Sequence, residues 1–144
     1  MKRVSPQVRD VAAQVKACET PSAGDPATFL AIDKLRPHLS TLMGRSGFQA
    51  LLARALLLAA AEAPWLTAVR VVADGEMEGL TVAYAKVDAA AFSEGEIVLL
   101  AQLLRLLVGF IGPALTLRLI NQLWPQLSFN DADFSNSANH EEAK

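Results

Sequence analysis

Residues Ile97–Leu123 are almost saturated with large aliphatic side chains, broken chiefly by Gln102, Arg105, Arg118 and the pair Gly112-Pro113. A stretch this apolar has to be covered by the rest of the chain, by a partner or by lipid. Lipid fits worst. A span over Ile97–Ile120 would bury Gln102, Arg105 and Arg118, at about 2.5–3.5 kcal/mol for each arginine near the bilayer centre. Gly112-Pro113 would also break it. The sequence therefore predicts a soluble chain organised around this segment.

A length of 144 residues is enough for one domain with its own core. Hydrophobic residues make up 52% of the chain but aromatics only 6%, so that core is aliphatic, and its Leu/Ala richness favours helix. The formal net charge of −2 argues against a nucleic-acid binder, which would carry a basic footprint. The charge is unevenly spread. Eight cations lie within residues 1–54, among them Arg9, Lys16, Arg36 and Arg54, whereas residues 74–96 hold six acids and Lys86 alone. Such a layout either pairs internally, guides a partner, or forms two solvated faces. Cys18 is the only cysteine and no apolar secretory segment follows Met1, so a reducing cytoplasmic setting is expected.

Ser5-Pro6 reads as cap and first helical residue, and Val4, Val8, Val11, Val15 and Cys18 form one apolar stripe behind them. Asp25-Pro26 opens a second helix on Phe29, Ile32, Leu35, Leu39 and Leu42, with a kink or split expected at Pro37 and a stop at Gly44. Ser46-Gly47-Phe48-Gln49 has the spacing of a capping box. The helix behind it, with Leu51, Leu52, Leu56, Leu57 and Leu58, is apolar over more than half its circumference and is expected at the centre. Val69–Val72 and Leu80–Tyr84, two β-prone runs around a glycine-containing loop, suggest a small hairpin within residues 68–84, with a short helix as the alternative. Ser93-Glu94-Gly95-Glu96 is a second capping box, starting a helix to about Ile111. A last helix follows from Pro113 to Trp124. The expected fold class is mainly α: one domain over residues 1–125, a bundle of about five helices, followed by a disordered polar, acidic tail over residues 126–144.

The search for chemistry in these residues returns little. Asp131, Asp133, Ser135, Ser137, Asn139 and Glu142 have the spacing of a calcium loop, but Asn136 replaces the required glycine and no exit helix follows. His38 and His140 are too few for a zinc site, and nothing brings Cys18 to His38 as a nucleophile pair. Glu94 and Glu96 read as first-turn acids placed for capping. The loop Gly75–Gly79 is acidic and would repel phosphate. No catalytic residue, cofactor or metal ligand is assigned, and the protein is not expected to be an enzyme.

Gly109 and Gly112 leave a flat strip beside Arg105 that can admit a helix at close range. Internal packing against the helix after Ser46 is its first expected use, and an intermolecular contact the second. GRSGFQALLARALLLAAAEAPWL and VGFIGPALTLRLINQLWP, within residues 44–133, resemble a set of short uncharacterised bacterial helical proteins. The resemblance implies a bacterial origin and carries over no functional residue.

The expected function is a non-catalytic interaction module, a small adaptor or regulatory subunit that associates with itself or with a protein partner. Its candidate packing interface is Gly109, Gly112, Arg105 and Arg118. The alternative is a carrier of an apolar or amphipathic ligand between the long helices, with Arg105 or Arg118 on an anionic head group. One expectation is directly testable. With Cys18 on the stripe of the first helix, its thiol should react with maleimide reagents slowly in the folded protein and fast after denaturation. Native labelling at the rate of a free thiol would remove Cys18 from the core.

Overall fold

The computed structural model describes residues 6–18, 29–125 and 127. Six α-helices occur among them: α1 Pro6–Cys18, α2 Leu30–Met43, α3 Arg45–Ala60, α4 Leu80–Lys86, α5 Ala89–Ile111 and α6 Pro113–Leu123. Two strands, β1 Arg70–Val71 and β2 Met77–Glu78, pair antiparallel with Arg70 opposite Glu78 and Val71 opposite Met77. The fold is mainly α with one small hairpin. The tail, the Asp25-Pro26 helix start, Ser5 and the calcium-like spacing all lie outside the described residues, as does the Cys18 side chain.

The apolar run becomes the axis of the bundle. Every residue from Val98 to Leu104 is buried, so the middle of α5 is enclosed on all sides. Burying an entire helix surface needs neighbours all round, and α1, α3, α4 and α6 supply them. α1 contributes Val8, Val11, Ala12 and Val15, its expected stripe extended by one alanine. α6 contributes Thr116, Leu117, Ile120 and Leu123, at the three- and four-residue spacing of one helix face.

α3 packs against α2, α5 and β1, as its leucine content suggests, but it is covered on one side only. It buries Phe48, Leu52, Ala55, Leu56 and Ala59 on one side and leaves Leu57 73% exposed on the other. Three consecutive leucines cannot all face one neighbour, and the space at the centre is already occupied by α5. Nor is either capping box formed. α3 starts at Arg45, so Ser46 lies inside it and makes no side-chain cap. α5 starts four residues before Ser93, where the Asp88 carboxylate accepts a hydrogen bond from the Ala91 N–H at 2.7 Å. α2 is likewise not split: it runs through Pro37, whose exposed ring costs one backbone donor.

The second arm of the hairpin is at Met77–Glu78, inside the expected loop, and Leu80–Lys86 is helical. Packing overrides strand preference here. In helix α4, Leu80 and Ala83 share a buried face, and Tyr84 presents its ring edge-on to Phe92 with centroids 5.0 Å apart. Phe92 also meets Phe29 at 5.1 Å and stacks with Trp65 at 5.5 Å. Trp65 lies so close over Gly95 that a Cβ there would overlap its ring. One aromatic cluster thereby pins the start of α5 to the start of α2, the turn after α3, and α4.

Two single-residue corners complete the fold. Gly44 joins α2 to α3 and Gly112 joins α5 to α6, with φ of 83° and 92°. Each glycine ends one helix and begins the next. The Gly112 N–H donates to the Val108 carbonyl at 2.9 Å, and its own carbonyl accepts from the Thr116 N–H at 3.2 Å. With ψ near 159°, this conformation is essentially confined to glycine. Gly112→Ala should therefore destabilise the protein by about 1–3 kcal/mol although no atom lies in the way. Gly109→Ala, at an exposed helical position with open space around it, should stabilise by roughly 0.5–1 kcal/mol. Urea unfolding of both variants checks the opposite signs.

Candidate functional site

Polar side chains inside the bundle form one seam along α5. Gln102, fully buried, donates from Nε2 to Glu62 Oε2 at 3.2 Å and accepts at Oε1 from Arg105 Nε at 3.3 Å. Glu62, just past α3, also faces Arg9 of α1, with Nη1 3.5 Å from Oε1. Arg9 pairs in addition with Glu94 at the start of α5. Further along α1, Lys16 Nζ lies 3.5 Å from Glu96 Oε1, and the backbone N–H of Ala31 makes a long contact of 3.4 Å with Oε2.

The basic first helix and the acidic stretch are thus partly paired with each other. Arg36 extends the pattern by donating from Nε and Nη2 to the Gly75 carbonyl, both at 3.3 Å. These contacts give the seam a structural role. A charge or amide taken into an apolar bundle costs several kcal/mol unless it is bonded, and here acceptors and donors are matched. No group of three or more His, Cys, Asp or Glu side chains that could hold a metal occurs among the described residues.

Among the described residues Glu96 is the one group whose titration is clearly displaced. Burial pushes its carboxyl above the ordinary glutamate range, opposed by the Lys16 charge and the Ala31 N–H, while Asp33 adds a small push in the same upward direction. A carboxyl whose pKa is raised by folding binds its proton more tightly in the folded state. Its contribution to stability is complete below the unfolded pKa, about 4.3, and is lost as pH rises through the shifted value.

The residues singled out in the sequence divide between two places. Arg105 is half-buried and belongs to the seam through Gln102. Gly109, Gly112 and Arg118 lie at and beyond the α5–α6 corner. Gly109 is exposed with nothing within 4 Å of the Cβ position, so the strip is not packed against α3. The expectation of internal packing is corrected: α5 outruns the helices that wrap its middle. From Val108 to Leu115 the chain reads Val-Gly-Phe-Ile-Gly-Pro-Ala-Leu, without a polar side chain; Val108 and Ile111 pack partly against the core, and none of the eight residues is fully buried. Phe110 is 64% and Leu115 48% exposed. Arg118, one helical turn beyond Leu115, is exposed and has no ionic partner among the described residues.

His38 is exposed on α2. Glu62, Glu96 and Gln102 were not legible as a group. Gln102 alone was signalled, as an amide inside an apolar run, whereas Glu96 sits where a capping acid would. Among the described residues no helix is long and apolar enough to cross a membrane. The chain matches no known family model, no curated protein and no solved structure.

A comparison of Glu96→Gln with the wild type isolates the buried carboxyl, because every other titrating group is common to both. The stability of the wild type relative to this variant should fall as pH rises from about 4 toward neutrality, then level off. Lys16→Met should move that fall to higher pH by removing the opposing charge. Chemical denaturation across the pH series gives both curves, and a flat difference would show that Glu96 is not displaced.

Proposed function

We propose that the protein is a non-catalytic interaction module, a small adaptor or regulatory subunit, that associates with itself through the α5–α6 corner. The observation that carries this reading is the eight-residue apolar stretch Val108–Leu115, in which Gly109, Phe110, Ala114 and Leu115 are exposed and no residue is fully buried. Contiguous apolar surface of this kind usually marks a contact site on a soluble protein. A second copy covers it most economically, since one patch then serves both partners. The single cysteine supports a reducing, cytoplasmic setting.

The engagement of Arg105 bears on the alternative, a carrier of an apolar ligand. A carrier needs an inward cation free to hold an anionic head group, and Arg105 is committed to Gln102. Arg118 is exposed on α6 rather than turned into the bundle. Both arrangements favour the interaction module.

Light scattering and sedimentation at micromolar concentration test the proposal. The wild type should be dimeric or larger, and Phe110→Glu or Leu115→Glu should weaken association at least about tenfold, some 1.4 kcal/mol. Circular dichroism should be unchanged for both, because the replaced side chains are exposed. A wild type that stays monomeric throughout would overturn self-association.

A further inference from the structure

We infer that self-association through the α5–α6 corner is governed by ionic strength, because a second copy there sets Arg118 of each protomer against the partner's Arg118 with no acid to balance them. The protein then pairs at high salt and separates at low salt, the reverse of an interface held by ion pairs. This rests on the function proposed above and adds to it the sign of the electrostatic contribution.

The position of Arg118 is the first support. Leu115, Arg118 and Gln122 recur at spacings of three and four along α6, and all three are exposed. Residues so spaced on a helix have Cβ atoms about 5–6 Å apart. A partner that covers Leu115 therefore meets the Arg118 guanidinium at the edge of the same contact. Under two-fold symmetry the partner's Arg118 stands at the matching edge of its own patch, which brings the two cations within roughly 20 Å. The screening length is about 30 Å at 0.01 M salt and about 8 Å at 0.15 M. Their repulsion is felt in the first case and largely lost in the second.

The second support is the lack of a compensating acid. Residues 97–124 contain no Asp or Glu, and Arg105, one helical turn before Gly109, adds a cation on the α5 side. Its guanidinium bonds to the neutral amide of Gln102, which leaves the charge in place. Many of the described acids already face cations within the chain: Glu62 and Glu94 face Arg9, Glu96 faces Lys16, Asp33 faces Arg36 and Glu78 faces Arg70. The net charge of the whole chain is only −2, so the repulsion arises at the corner rather than from the molecule at large.

Sedimentation of the full chain between about 10 and 300 mM sodium chloride tests the inference. The association constant should rise at least about threefold across that range. Arg118→Gln should associate more strongly than the wild type at low salt and lose most of the dependence, with circular dichroism unchanged because the side chain is exposed. A repulsion set by overall charge would act the other way, since this substitution makes the chain more negative. An equimolar mixture of wild type and Arg118→Glu should form heterodimers beyond the random proportion at low salt, because only the mixed pair sets opposite charges across the axis. Association that stays flat or falls with salt, or a random mixture, would overturn the inference while leaving the dimer in place. Wild type and Arg118→Gln both monomeric at every salt concentration would remove the dimer and the inference together.

Discussion

Complete burial of the middle of α5 is the constraint from which the other elements take their places. A helix with apolar side chains around its whole circumference gains nothing from a single neighbour, because most of its surface would stay wet. α1, α3, α4 and α6 each cover a sector, and the aromatic cluster around Phe92 fixes the end where α5 begins. Once that enclosure exists, any polar atom on α5 has to find its partner inside. Gln102 does so through Glu62 and Arg105, and Glu96 through Lys16 and the Ala31 N–H. The ionic seam follows from the burial of α5 and orients α1, since Arg9 and Lys16 must reach fixed carboxylates. A buried pair of this kind adds little net stability over a well-packed apolar pair. Losing one member is costly, so its larger effect is on which way α1 docks.

The same constraint explains why the apolar surplus emerges at one end. The neighbours of α5 enclose it at Val98–Leu104, and beyond Leu107 no residue of the helix is fully buried. Gly112 then turns the chain within a single residue, which denies the corner any loop that could fold back over Phe110 and Leu115. Gly44 makes the same junction between α2 and α3, where Leu42 is exposed on one side but Arg45 and Ser46 are exposed on the other. One backbone device thus serves a mixed corner in one place and a wholly apolar corner in the other. The difference lies in the side chains, and it makes the α5–α6 junction the surface from which to argue function.

How far the chain could be read from its residues varies along its length. The α1 stripe, the stop at Gly44 and the Gly112-Pro113 junction were all legible, because each rests on local backbone chemistry or on one periodic face. The two capping boxes misled for a related reason. Ser46 and Ser93 have the right neighbours three residues on, but a stronger start lies upstream of each, at the Gly44 corner and at Asp88. Leu80–Tyr84 misled in the opposite direction: its β-prone side chains form a helix because that puts Leu80 and Ala83 on the core and Tyr84 against Phe92.

Sequence alone determined the class of fold, the segment around which it is organised and the positions where helices must stop, since these depend on side-chain hydrophobicity and on the backbone freedom of glycine and proline. Which long helix is enclosed on all sides was decided only in three dimensions. Leucine content in α3 and α5 is similar, but only α5 has its middle covered around the whole circumference, while α3 keeps Leu57 in solvent. The long-range partners of Glu62, Glu96 and Gln102 were decided there as well, across separations of 40 residues or more that leave no trace in local spacing. So was the exposure of Val108–Leu115, because apolar side chains look alike in a sequence whether or not another helix arrives to cover them.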